Sequence, residues 1–268
     1  MSSTDTAFAG SIPGLYDRCL GPLLFQPYAE EVARRAAALK PRRILETAAG
    51  TGIATAALHQ ALPDAEIVAT DLNQAMLDIA ADRIRSDGVQ FQAADALDLP
   101  FGDCEFDLVV CQFGVMFYPD RVRGNTEARR VLNDGGHYIV AIWDSIDRNA
   151  GSKDISNAVA ALFRDDPPKF LDRTPFGYSI VAKIEQDLLT AGFRDIKFET
   201  VEKRSRAPSA RDVAVGMVCG SPLRNEIEQR DPAMLDAAVE AATAALAQWE
   251  GPDGFDAPMS AHIFTAAR

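Results

Sequence analysis

Short apolar runs bounded by turn residues alternate with amphipathic stretches over roughly residues 40–200, the pattern of a parallel sheet with helices on both faces. Residues 43–46 predict a strand, 53–60 a helix, and 66–70 a second strand. Residues 73–86 predict an amphipathic helix that buries Ala75, Met76, Ile79, Ala80 and Ile84. Residues 89–93 predict a third strand. Residues 106–111, apolar around Asp107, predict a fourth suited to burial on both faces. A helix ends over 127–132, Asn133-Asp134-Gly135-Gly136 predicts a turn, and 137–143 a fifth strand.

The flanks are more helical. Residues 1–42 predict an N-terminal helical cap region, with a helix over 29–39 that Pro41 closes. Its apolar and aromatic patch (Tyr16, Leu23, Leu24, Phe25, Tyr28) either covers one end of the core or folds over a ligand. Residues 144–180, with Pro167, Pro168 and Pro175, are too irregular for a simple crossover. A helix resumes over 180–191 and stops at Gly192, followed by a sixth strand at 196–201. A long alanine-rich helical excursion then breaks at Gly220-Ser221-Pro222 and near Pro232, before a seventh strand at 261–266. The expected organisation is a core over 43–206 with an irregular cap segment at 144–180, a helical insertion at 207–256, and a final core strand within 257–268. The fold class is α/β: a seven-stranded, mostly parallel sheet with helices on both faces, plus helical cap elements.

Composition narrows the function classes. The 268 residues are 47% hydrophobic, enough for a sizeable core. A net charge of -12 argues against a nucleic-acid partner, which calls for a basic stripe. The cluster Lys203-Arg204-Ser205-Arg206 reads as a solvated strand end. Four scattered cysteines without a Cys-x-x-Cys pair give neither a disulfide framework nor a metal site. The N-terminus lacks a signal-peptide pattern, and no apolar run approaches the roughly 20 residues that span a bilayer. The expectation is a cytoplasmic protein with a small-molecule substrate and no membrane or nucleic-acid partner. A homodimer is left open.

Candidate chemistry concentrates at Leu45-Glu46-Thr47-Ala48-Ala49-Gly50-Thr51-Gly52, a strand, a glycine turn and a helix start. Gly50 and Gly52 allow a sharp turn with bare backbone beside a ligand. Asp71 ends the next strand, spaced to grip two ribose hydroxyls. A nicotinamide fingerprint wants a third glycine where Thr55 stands, and Glu46 would repel a pyrophosphate. The sign of Glu46 favours a cofactor carrying an ammonium or sulfonium group.

Five ordered blocks resemble the class I S-adenosylmethionine-dependent methyltransferases, specifically the small-molecule group related to the quinone-biosynthesis enzymes. They are 45–52, Asp71-Leu72-Asn73-Gln74-Ala75-Met76-Leu77, the run 94–101 from Ala94-Asp95-Ala96, Phe106 to Gly114, and Arg130 to Gly136. The resemblance covers about 40–200 and implies a Rossmann-like fold with S-adenosyl-L-methionine as cofactor. It implies that Glu46, with the backbone of Ala48, Gly50 and Gly52, holds the methionine part, and Asp71 the ribose. Leu72, Met76, Asp95 and Ala96 would surround the adenine; Gln112 and Phe113 would lie beside the methyl. Asp107 would be a structural carboxylate. The usual first glycine of the motif is Ala48 here, so this position is expected to avoid positive φ and alter the turn slightly. Where relatives often place a histidine after the fourth strand stands Phe117, so no catalytic base is assigned. Tyr16, Phe25, Met116, Phe117, Trp143 and Tyr178 are candidate walls of an apolar, aromatic acceptor pocket. The implied activity is methyl transfer to a small or medium organic acceptor. Two alternatives remain: a protein- or tRNA-directed methyltransferase, and a non-catalytic or non-methylating S-adenosylmethionine binder of the same fold.

Overall fold

The computed structural model describes residues 12–268. The start of the expected N-terminal cap region, residues 1–11, lies outside the described residues. The elements begin with α1 (Ile12–Leu15), a π-helical segment (Tyr16–Phe25), α2 (Gln26–Leu39), β1 (Arg43–Thr47), α3 (Ile53–Ala61) and β2 (Glu66–Asp71). Next come α4 (Gln74–Arg83), β3 (Val89–Ala93), β4 (Phe106–Gln112), α5 (Arg121–Val131) and β5 (Leu132–Trp143). Then follow α6 (Ala150–Leu162), α7 (Phe170–Arg173), α8 (Val181–Thr190) and β6 (Arg194–Ala207). The last are α9 (Ala210–Cys219), α10 (Leu223–Arg230), α11 (Leu235–Leu246), β7 (Glu250–Gly251) and β8 (Gly254–Ala267).

The chain divides into two compact units. One comprises residues 28–142, 179–201 and 261–268; the other comprises residues up to 27, 143–178 and 202–260.

The sheet runs β3-β2-β1-β4-β5-β8-β6, with the two-residue β7 paired antiparallel to β8. The pairs β1/β2, β2/β3, β1/β4 and β4/β5 are parallel. Arg268, just past β8, donates its N–H to the Gly136 carbonyl at the start of β5 (3.0 Å), so β8 runs against β5. This is the mostly parallel α/β sheet expected from the apolar pattern. Strand order reverses between β1 and β4, and such a reversal opens a crevice at the carboxyl ends of the strands. Leu108, Val109, Val110 and Cys111 of β4 are all fully buried, as their unbroken apolar run requires.

Local differences have local causes. In α4 the buried residues are Met76, Leu77 and Ala80, with Ile84 just beyond, whereas Ala75 is exposed and Ile79 half-buried. Asn73 caps the helix by accepting the Ala75 N–H (3.0 Å), which sets its phase. Asn133 to Gly136 is a bulge inside β5 rather than a turn before it: Leu132 pairs with Phe106 and His137 with Leu108. Asp107 fastens this corner. Its carboxylate accepts from the Arg42 and Arg43 backbone N–H groups and the Asn133 amide at 2.9–3.0 Å. Burial pushes its carboxyl up, but these donors together outweigh burial and hold it below its ordinary value. Asp107 is structural, as expected.

The segment 144–180, expected to be irregular, holds α6, whose Ile155 and Val159 are buried one turn apart. Pro167, Pro168 and Pro175 all fall beyond that helix. In the same unit α11 buries Ala238, Val239, Ala242 and Leu246, so its alanines pack as well as favour helix. Arg204 and Arg206 of the basic cluster pair with Asp256 at 2.6 and 3.3 Å. Among the described residues no helix is long and apolar enough to cross a membrane.

Candidate functional site

β1 delivers a buried carboxylate into a turn of unusual backbone geometry. Glu46 is 1% exposed. Beyond it Ala48, Gly50 and Gly52 take φ of 54°, 56° and 77°. Ala48 therefore adopts the left-handed conformation that its β-carbon was expected to forbid, and the glycine-type turn is kept. The cost is about 1–2 kcal/mol for a non-glycine residue, and it is offset by tight fastening around the turn. Ala49 N–H donates to the Thr70 carbonyl (2.9 Å) and the Thr70 hydroxyl to the Glu46 carbonyl (2.9 Å). The Arg83 guanidinium donates to the Thr51 carbonyl (3.0 Å). Gly52 has a second reason to be glycine: an added β-carbon would lie 2.8 Å from Ala80 Cβ, so α4 packs against bare backbone. At Gly50 a β-carbon would meet Met76 Cε at an ordinary 3.7 Å, so its left-handed φ alone selects glycine there.

Asp71 faces this turn from the end of β2. Its Oδ2 accepts the Gly50 N–H and its Oδ1 the Asn73 N–H, both at 2.8 Å. A carboxylate oxygen has a second lone pair, so each can still accept a ligand hydroxyl. Burial raises the Asp71 carboxyl above its ordinary value despite these backbone donors. Burial also pushes Glu46 up to about 8; the nearby Thr55 hydroxyl opposes the rise and the charge of Asp71 adds to it. Glu46 Oε2 is buried without a hydrogen-bond partner. Two carboxylates short of positive charge at adjacent strand ends suit a cationic ligand group and oppose an anionic one. These residues fit a cofactor with an ammonium or sulfonium centre and a ribose.

The neighbouring strand ends carry the rest of the expected set. Leu72 is 69% exposed at the mouth, and Met76 is buried. Ala94 N–H donates to the Asp71 carbonyl (3.0 Å), which brings Asp95 and Ala96 beside the end of β2. Asp95 is exposed and closes its own turn by accepting the Leu97 N–H (2.9 Å); Ala96 is half-buried. Gln112 ends β4. Phe113 follows with φ 55°, its N–H on the Ala141 carbonyl (2.9 Å) and its ring edge-on to Tyr28 at 5.3 Å. The expected cofactor residues lie at or just past the carboxyl ends of β1 to β4, except Met76, which lies in the first turn of α4. In the turn after β4 Met116 is fully buried and Phe117 half-buried.

Sequence reasoning missed Tyr118. Its hydroxyl donates to Thr47 Oγ1 (3.2 Å) and lies 3.5 Å from Cys111 Sγ, all three side chains being buried. The only signal was a polar aromatic one residue past the Val115–Phe117 turn.

In the other unit the remaining pocket candidates form a row. Tyr16 stacks on Phe25 (4.9 Å), Phe25 meets Trp143 (6.4 Å), and Trp143 meets Phe176 (6.0 Å), a residue the sequence did not single out. Tyr178 is buried there too. Two histidines sit in the sheet. His137 pairs with Leu108 early in β5, and His262 Nδ1 lies 2.9 Å from Thr200 Oγ1.

Residues 44–136 match a family described as "Methyltransferase domain". The demethylmenaquinone methyltransferase of Deinococcus radiodurans is 35% identical over 128 residues, 47% of this chain and 53% of its own length. That of Clavibacter sepedonicus is 41% identical over 108 residues, 40% of this chain and 43% of its own. The chain thus spans about half the length of the curated relatives it matches. Phosphoethanolamine N-methyltransferase 2 of Haemonchus contortus, solved with S-adenosyl-L-methionine, has a TM-score of 0.63 at 17% identity over 100% of this chain and 60% of that one, a likeness of fold. Residues 44–136 thus resemble a methyltransferase domain, with a likeness in sequence to demethylmenaquinone methyltransferases over about half their length and a likeness of fold to a solved methyltransferase.

Proposed function

We propose that the protein binds S-adenosyl-L-methionine and transfers its methyl group to a small or medium organic acceptor. The observation that carries this reading is the buried, unpartnered Glu46 Oε2 beside a left-handed turn, with Asp71 at the next strand end. Glu46 and the Gly50–Gly52 backbone hold the methionine part, and Asp71 accepts from the ribose hydroxyls. Leu72 and Met76 border the adenine, Asp95 accepts from its amine, and Ala96 offers a backbone N–H. Gln112 and Phe113 flank the reacting methyl.

The cofactor, when bound, supplies an electrophilic methyl whose leaving group is a neutral thioether. The chain's part is therefore to exclude water and fix alignment, and a dedicated base is dispensable for an acceptor that already presents a lone pair. Met116 and Phe117, in the turn after β4, are the proposed apolar surface for such an acceptor. The relatives named for demethylmenaquinone support a small organic substrate. The matched domain ends at residue 136, before Trp143 and Tyr178, so the acceptor itself is left to experiment.

Calorimetric titration with S-adenosyl-L-methionine, followed by transfer of labelled methyl into small-molecule extracts, tests the reading. Saturable binding with label in a small product is expected. Binding without transfer to any acceptor class would favour the non-methylating alternative, and absence of binding would remove both.

A further inference from the structure

We propose that Tyr118 is a positioning residue for the methyl donor: its hydroxyl clamps the end of β1 to the end of β4 and so holds Ala48 and Phe113 in the left-handed conformations that shape the site. The inference rests on the methyl-donor reading of the same strand ends.

Two strained residues lie at adjacent strand ends, Ala48 after β1 and Phe113 after β4. Neither is glycine, so neither holds its backbone angle by preference. Such conformations persist only where the surroundings over-determine them. The residue before Ala48 is Thr47, which accepts the Tyr118 hydroxyl at 3.2 Å. Two residues before Phe113 is Cys111, whose sulfur lies 3.5 Å from the same hydroxyl. One buried polar atom thus touches both strands, one residue before Ala48 and two before Phe113. Room for the ring is made at Gly124, where an added β-carbon would sit 2.6 Å from Tyr118 Cδ2. A phenylalanine would fill that space equally well. The hydroxyl must instead earn its burial through hydrogen bonds, and those available join the two strands.

The test is donor binding, which needs no acceptor. Titration with S-adenosyl-L-methionine and with S-adenosyl-L-homocysteine compares wild type, Tyr118→Phe, and Tyr118→Phe combined with Ala48→Gly. Loss of a net hydrogen bond should weaken binding of both about five- to tenfold in Tyr118→Phe. Ala48→Gly should restore most of it, because glycine takes the left-handed conformation without a clamp. Thr47→Val removes the acceptor side of the same bond and should reproduce the loss, which keeps the test open if Tyr118→Phe folds poorly. A role in core packing alone would lower thermal stability without changing affinity, and Ala48→Gly would rescue nothing. That outcome, or unchanged affinity in both Tyr118→Phe and Thr47→Val, overturns the assignment while leaving the methyl-donor reading intact. Absence of binding by the wild type overturns both.

Discussion

Ala48 and Gly114 share one space: a β-carbon at Gly114 would lie 2.4 Å from the β-carbon of Ala48. The methyl present at the end of β1 is the one missing just past β4. The departure of Ala48 from the usual glycine of this motif is thus accommodated by a neighbour far away in sequence.

Gly114→Ala should destabilise the fold by about 1–3 kcal/mol, the range for overpacking, since its methyl also falls 3.0 Å from Cys111 Sγ. Denaturant melts of the single variant and of Gly114→Ala with Ala48→Gly measure the coupling. Recovery in the double variant is expected. Strict additivity would show that the two side chains do not compete.

Ala48→Gly alone removes a left-handed penalty of about 1–2 kcal/mol and adds a chain-entropy cost of roughly 0.5–1 kcal/mol. The net expectation is a gain of up to about 1 kcal/mol in urea unfolding. A lowered midpoint at unchanged slope would mean that the packing of the methyl outweighs the strain.

Asp71→Ala should weaken donor binding roughly ten- to hundredfold, the worth of one charged hydrogen bond at about 1.5–3 kcal/mol. The variant also strips acceptors from Gly50 and Asn73 N–H, so the turn itself loosens. Calorimetry giving wild-type affinity would remove the ribose assignment.

Glu46 should make both stability and donor binding depend on pH. Its folded carboxyl titrates at about 8 against an ordinary 4.5, mainly through burial. Above the ordinary value the unfolded chain has released this proton while the folded one retains it. The contribution of Glu46 to stability is therefore complete below about pH 4.5 and is lost as pH rises through 8. A cationic donor favours the ionised form, so binding near pH 7 should release a proton and tighten with pH up to about 8. Titrations at pH 7 in buffers of different ionisation heat read this directly, and Glu46→Gln should abolish the release. Heats independent of buffer in the wild type would contradict it.

Much of the core was legible because its signals are local. The apolar runs of β1, β2 and β4 are continuous in sequence, and Asn73 and Gly52 mark helix starts by their own chemistry. Glu46 and Asp71 could be singled out because strand-end position follows from the same runs. The bulge at Asn133 to Gly136 has the sequence of a turn, because Asn-Asp-Gly-Gly has turn chemistry and the pairing of Leu132 with Phe106 is not a local property. In α4 Met76, Ala80 and Ile84 are buried as expected, while Leu77 replaces Ala75 and Ile79 in the buried stripe, because several apolar stripes are open until the cap and the contact with Gly52 select one.

The sequence by itself determined the alternation of strands and helices, the acidic strand ends and the glycine turn, since each depends on neighbouring residues and hydrogen-bonding preference. Only the tertiary structure decided that Ala48 takes a left-handed angle, that Gly114 makes room for it, and that Tyr118 reaches both Thr47 and Cys111. Those relations join residues up to 71 positions apart. Their energies come from packing and buried hydrogen bonds across strands, which no local pattern of side chains encodes.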